Sequence, residues 1–149
     1  QMMSTVAAYG APYILMHMKG LPENMQQNTA YDDVVLEVMS YLSRKIHDAR
    51  SAGINDIILD PGFGFGKTIK HNFEILRQFE VFGIWGLPVL AGISRKSMIW
   101  KTLSTDPAGA LNGTTALHMV ALQKGAGILR VHDVREAMEC IRLHGMLTG

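Results

Sequence analysis

An α/β fold with a parallel sheet is predicted by two features of this sequence. Four short apolar runs recur along the chain, over 12–18, 56–60, 88–93 and 127–132, and a helix-length segment follows each. The runs are continuous and not alternating, as expected of parallel strands buried on both faces.

Residues 2–9 read as the tail of a helix stopped at Gly10. With Gln1 in first place, the chain is expected to open in mid-element and to be cut from a longer protein. The first strand follows a Gly-Ala-Pro turn. Over 31–52, Val35, Val38, Met39, Leu42, Ile46 and Ala49 recur at helical spacing, and Gly53 closes the helix. In the second strand run, Ile54, Ile57, Ile58 and Leu59 lead into Asp60, after which the pattern breaks into Gly62, Gly64 and Gly66. Asn72 is expected to cap a helix over 73–82 that stops at Gly83. A small-residue helix over 108–124 closes at Gly125, and Asp133 is expected to cap a last helix, 134–144, ending at Gly145.

Strand starts near residues 13, 56, 88 and 127 give ordinary spacing for βα units with right-handed crossovers. Four units are half of an eight-unit barrel, which needs about 250 residues. A small open sheet fits the pattern equally well.

Of the 149 residues, 48% are hydrophobic and 18% charged, so the chain is globular and not disordered. The net charge of +1, with no basic stripe, gives nucleic-acid or membrane-surface binding no electrostatic support. No apolar run reaches the roughly 18 residues of a membrane span. Cys140 is the single cysteine, which excludes an internal disulfide framework and points to a reducing, cytoplasmic setting.

The functional signal lies at the strand ends. The first ends in His17 and Lys19, the second in Asp60, the third in Ser94-Arg95-Lys96-Ser97, and the fourth in Arg130, His132 and Asp133. In a parallel sheet these ends share one rim, so the charged groups converge there. The loop from Asp60 to Thr68 ends like a phosphate-binding P-loop, but the slot of its first glycine holds Pro61, which has no N–H to offer. Gly62, Gly64 and Lys67 fail the dinucleotide-binding spacing as well. Asp60 instead supplies two acceptor oxygens, suited to a pair of neighbouring donors on a ring. Phe63 and Phe65 argue against a merely flexible loop. Arg130 and His132, two residues apart on a strand, share a side and suit an anion. Lys96 follows the small residues Gly92 and Ser94, where a flat ligand can approach the backbone, with Arg95 nearby. His17 reads equally as a core histidine, and His17, His132 and Asp60 lack a tight metal-ligand spacing.

Four segments together resemble bacterial dihydropteroate synthases, in order and across essentially the whole chain. They are Leu15-Met16-His17-Met18-Lys19-Gly20 with Pro22, Met25 and Gln26; Asp60 to Lys67; Gly92 with Ser94-Arg95-Lys96-Ser97; and Arg130-Val131-His132-Asp133-Val134. The resemblance implies a TIM (β/α)8 barrel, of which residues 1–149 form the C-terminal half, strands five to eight. It implies condensation of a dihydropterin diphosphate with p-aminobenzoate in folate synthesis, with sulfonamides as competitors. Asp60 would hold the pterin's amino and ring N–H groups, Lys96 would donate to the pterin, and Met16 would pack on its ring. Phe65 and Ser94 would line the aminobenzoate pocket, Gly92 and Arg95 would belong to the substrate site, and Arg130 and His132 would grip the diphosphate. Lys96, Arg130 and His132 would be the catalytic set.

Mg2+ is implied for the whole enzyme, held by a residue of the half absent from this sequence, with no metal ligand in this chain. A homodimer through helices of this half is implied too. The first four strands, with further pterin-binding groups and two mobile loops, are missing, so weak or no turnover is expected of the chain alone. The competing expectations are a pterin-binding methyltransferase barrel, which needs no diphosphate grip, and a non-catalytic fragment.

Overall fold

A computed structural model describes residues 2–20, 23 and 29–149. Pro22, Met25 and Gln26 of the first strand-end motif lie outside the described residues. The elements run α1 (Met2–Ala8), β1 (Tyr13–Met16), α2 (Val34–Ser51), β2 (Ile57–Asp60), α3 (Ile69–Arg77), a 3-10 helix (Phe79–Trp85), β3 (Leu90–Ala91), α4 (Ser97–Trp100), a 3-10 turn (Ala108–Ala110), α5 (Leu111–Gln123), β4 (Ile128–Leu129) and α6 (Val134–Thr148).

All strand pairs are parallel. Tyr13 to Met16 pair in register with Ile57 to Asp60, and Leu90 and Ala91 with Ile128 and Leu129. A bridge between Leu59 and Val89, with Leu59 N–H donating to Pro88 O at 2.9 Å, joins the two pairs. The spatial order is therefore β1-β2-β3-β4, the order of the sequence. Successive helices from α2 to α6 pack each against the next. A doubly wound sheet would reverse its strand order and split its helices between two faces. Sequential strands under one run of helices are the arrangement of a (β/α) barrel.

β3 and β4 are shorter than the apolar runs 88–93 and 127–132 predict. Pro88 has no N–H for a ladder, and beyond Leu129 the chain turns Arg130 and His132 outward. Gly127 and Ile128 N–H nevertheless donate to Val89 O, and Arg130 N–H to Ala91 O. The expectation that all four strands are buried on both faces is corrected. Ile14 is 52% exposed, and Ile128 and Leu129 are only half-buried. The helices cover one face of the sheet, and β1 and β4 each have one strand neighbour among the described residues.

The core lies between strands and helices. Leu15, Ile57, Leu59, Val89, Ala91 and Ile93 face Val34, Val38, Leu42, Ile46, Ile75, Leu76 and Met98. α2 behaves as its periodicity predicts, with Asp33 as N-cap accepting from Leu36 N–H at 2.9 Å. α5 comes close to α4 because position 113 has no side chain. A Cβ on Gly113 would lie 2.6 Å from Ile99 Cγ2 and 2.7 Å from Leu103 Cδ1.

Two caps differ from expectation. Thr68, not Asn72, caps α3 in a reciprocal capping box with His71, so the helix starts earlier and Asn72 is buried within it. α3 stops at Arg77, and a 3-10 helix carries the chain on to Trp85. Asp133 precedes α6 without a side-chain cap because Arg95 takes its carboxylate, and the helix runs through Gly145 to Thr148.

Leu42→Ala, at a fully buried position, is expected to cost about 2–5 kcal/mol of stability. Leu36→Ala, on the exposed face of the same helix, is expected to stay within about 0.5 kcal/mol. Urea denaturation of the two variants checks the assignment of the buried face.

Candidate functional site

Side-chain alternation and the strand register decide which strand-end residues meet. On β1, Ile14 and Met16 share a face, and their partners in register are Ile58 and Asp60. With Leu90 paired to Ile128, the same alternation carries Gly92 and Ser94, and Arg130 and His132, on to that face. Met16, Asp60, Gly92, Ser94, Arg130 and His132 thus rise from four strands on the side away from the helices. His17 has the opposite parity. It is 4% exposed, its ring edge-on to Tyr41 of α2 at 4.9 Å, and it belongs to the helix side of the sheet.

The β2–α3 loop is built around Asp60. Its Oδ1 accepts the Gly62 N–H at 2.7 Å. Gly62 sits at φ +74, and a Cβ there would lie 1.9 Å from the His17 carbonyl oxygen, so only glycine lets the loop seat on the end of β1. Phe63 is fully buried and stacks on Phe79 at 6.1 Å, anchoring the loop. Phe65 is half-buried, with the Lys96 ammonium 4.6 Å from its ring centre. Lys96 Nζ also donates to Phe63 O. Asn72, freed from capping, accepts the Gly64 N–H at 2.7 Å and donates to Thr68 O.

Lys67 is buried beneath the loop. Its ammonium meets His17 Nδ1 at 2.9 Å, Gly62 O at 2.9 Å and Phe65 O at 3.1 Å. In the sequence this lysine stands only as part of the glycine-loop patterns and of the Asp60 to Lys67 family segment, and no local signal announces a buried ammonium.

The charges of the rim act on one another. Burial pushes the Asp60 carboxyl up, against the Gly62 N–H and the positive charges of Lys96, Lys67 and Arg130. Burial lowers Lys96 to about 8, with Asp60 opposing the shift and Arg130 adding to it. Burial likewise lowers Lys67 to about 7 and His17 to about 3, the latter helped by Lys67 and Lys19. One carboxylate among three cations is a setting for a polar ring and an anion. These donors do not suit a divalent cation, and no group of three or more metal-ligating side chains occurs among the described residues.

The other strand-end groups divide between rim and scaffold. Arg130 and His132 are exposed. Ser94 Oγ accepts the His132 N–H at 3.2 Å and is hydrogen-bonded to His132 Nδ1 at 2.9 Å, in a direction set by the imidazole tautomer. Arg95 is turned into the structure. It forms a two-pronged pair with Asp133, both bonds 2.8 Å, and donates to Pro107 O and Ala108 O. Its backbone takes φ 52, a conformation costing about 1–3 kcal/mol, held in part by its N–H bond to Thr114 Oγ1.

The family described as pterin binding enzyme matches residues 1–132, and the chain belongs to that family. Within it, the chain is similar to dihydropteroate synthases. It is 43% identical to that of Escherichia coli K12 over 143 residues, which cover 95% of this chain and 51% of the relative. The Thermus thermophilus enzyme, solved in complex with 6HMPPP and with 4-aminobenzoate, superposes with TM-score 0.95 at 40% identity, over 99% of this chain and 60–61% of that one. The Yersinia pestis enzyme with a sulfonamide drug gives 0.94 at 38% identity, over 97% of this chain and 54% of that one. The chain spans about half the length of the curated relatives it matches. The fold is that of half a TIM barrel, as the resemblance implies. Among the described residues, no helix is long and apolar enough to cross a membrane.

His17 sits neutral in the fold and ionises with an ordinary pKa of 6.5 when unfolded. The unfolded chain then binds more protons between pH 6.5 and about 3, and stability falls as pH drops through that window. His17→Asn, which keeps an acceptor but cannot titrate there, is expected to flatten the slope by up to about 1.4 kcal/mol per pH unit. Denaturation curves between pH 7.5 and 4 check this.

Proposed function

We propose that this chain is the pterin- and diphosphate-binding half of a dihydropteroate synthase, a transferase of folate synthesis acting in the cytoplasm. The observation that carries the reading is the buried carboxylate of Asp60 set on one face with Lys96 and Arg130, beside the half-exposed ring of Phe65. Asp60 accepts from the neighbouring amino and ring N–H groups of the pterin. Met16, its partner in register, packs on the ring. Lys96 donates to a ring acceptor and stays close to Phe65, which walls the p-aminobenzoate pocket where sulfonamides compete. Gly92 leaves the ligand room, since a Cβ there would meet only Leu90 Cδ2 at 3.7 Å.

Arg130 and His132 Nε2 bind the diphosphate. The bond between the pterin methylene and the diphosphate oxygen breaks, its electron pair leaving with the oxygen. The aminobenzoate nitrogen forms the new bond to the methylene and releases a proton. Charge grows on the departing oxygen, where fixed cationic donors stabilise the transition state more than the ground state. Ser94 acts through His132, and Arg95 through Asp133, as positioning residues. Mg2+ is part of the proposal for the whole enzyme only. The groups of this rim do not fit it, and no step is assigned to it here. A second copy of the chain is the partner we propose for the apolar groove between α3, α4 and α5, lined by Phe73, Ile99, Leu103 and Leu117.

The test joins this chain to the upstream half-barrel of the family and measures diphosphate release. Release that depends on p-aminobenzoate is expected, and methyl transfer from a methylated folate in its place would overturn the reading. In the same protein, Lys96→Ala and Arg130→Ala are each expected to lower kcat/KM by about 100-fold or more. Near-normal rates for Lys96→Ala would remove it from its role.

A further inference from the structure

Lys67 is assigned no ligand in the reading above, yet its ammonium makes three hydrogen bonds beneath the rim. The residue is 5% exposed and its ammonium is turned to protein acceptors. It has three N–H donors and meets three acceptors, His17 Nδ1, Gly62 O and Phe65 O. Gly62 gives its carbonyl to Lys67 and its N–H to Asp60 Oδ1, so the residue that aims the carboxylate is itself held by the ammonium. The same Gly62 carbonyl accepts the Phe65 N–H at 3.2 Å, closing the turn. Phe65 is held again through its own carbonyl, while its ring turns to Lys96. The third acceptor lies on another element. His17 ends the β1 segment on the helix side, so Lys67 ties the loop to the neighbouring strand.

We propose that Lys67 is a positioning residue that sets both substrate pockets together, aiming the Asp60 carboxylate through Gly62 and the Phe65 ring through the Phe65 carbonyl. What the two pockets bind rests on the reading above. The loop geometry does not. The proximity of the Lys67 charge to Asp60 adds to the coupling, since each favours the charged form of the other. Asn72 pins the other side of the loop at Gly64, which confines the effect of Lys67 to Gly62 and Phe65 and the groups they aim.

The first arm of the test needs no ligand. Amide hydrogen exchange is compared in wild type and Lys67→Met. The Gly62 and Phe65 amides are expected to exchange about tenfold faster or more, with α5 and α6 unchanged. Unchanged exchange at Gly62 and Phe65 would overturn the proposal, leaving Lys67 a space-filler. The second arm measures binding of a pterin diphosphate and of p-aminobenzoate by calorimetry in the protein joined to its upstream half. Lys67→Met is expected to weaken both by about tenfold or more, whereas Asp60→Asn weakens the pterin alone and Phe65→Ala the aminobenzoate alone. Faster exchange with both affinities intact would equally sink the proposal.

Ethylammonium added to Lys67→Ala, which leaves a cavity for it, is expected to recover part of the lost affinity. If wild type binds neither ligand, the functional reading fails, and the exchange arm still decides whether Lys67 holds the loop. Should the Lys67 variants not fold, His17→Ala removes one acceptor of three and is expected to speed exchange at the Gly62 and Phe65 amides by a smaller factor. No change there would again count against the proposal.

Discussion

The contact between Gly62 and the carbonyl of His17 sets the geometry of the whole rim. The loop after β2 rests on the end of β1 with no side chain between them, in a conformation that glycine adopts without strain. From that seat the Gly62 N–H faces back to Asp60, its carbonyl turns to Lys67, and the next residue, Phe63, drops into the core against Phe79. Phe65 is left facing Lys96. A side chain at position 62 would separate the two strand ends and release each of these groups.

The second constraint is electrostatic. Burying a carboxylate or an ammonium is costly unless it is paired and hydrogen-bonded. Here Asp60, Lys67 and Lys96 are drawn out of water together; Asp60 offsets part of the cost of each lysine and each lysine part of its own, while Lys96 adds to the cost of charging Lys67. One carboxylate against three cations leaves the rim positive, with Arg130 its exposed charge. Such a surface suits the proposed binding of an anion at one end and of a ring with neutral donors at the other.

Several polar side chains serve tertiary contacts in place of the local ones their positions suggest. Asn72 looks like a helix cap but holds Gly64, because Thr68 and His71 already close the helix start. Asp133 stands where a cap belongs but pairs with Arg95, which fixes the left-handed turn after β3. Arg95 lies beside Lys96 in sequence and resembles a rim cation, yet its guanidinium is spent on Asp133 and two carbonyls. Local rules describe what a residue is able to do. They do not rank that against a competing partner elsewhere in the chain, eight positions away for Asn72 and thirty-eight for Asp133.

Much of the candidate rim is nevertheless legible in the amino-acid order. The apolar runs, the glycine loop after Asp60 and the charged strand ends located the rim, and α2 followed its periodicity nearly residue for residue. The amino-acid order alone determined the βα succession and the chemical character of each strand end, because period and composition are local properties. Barrel or open sheet, which face each side chain takes, the burial of Lys67 and the withdrawal of Arg95 were decided by tertiary structure. Those depend on strand register and on contacts between distant segments. A shift of one residue between β1 and β2 would place His17, and not Met16, beside Asp60.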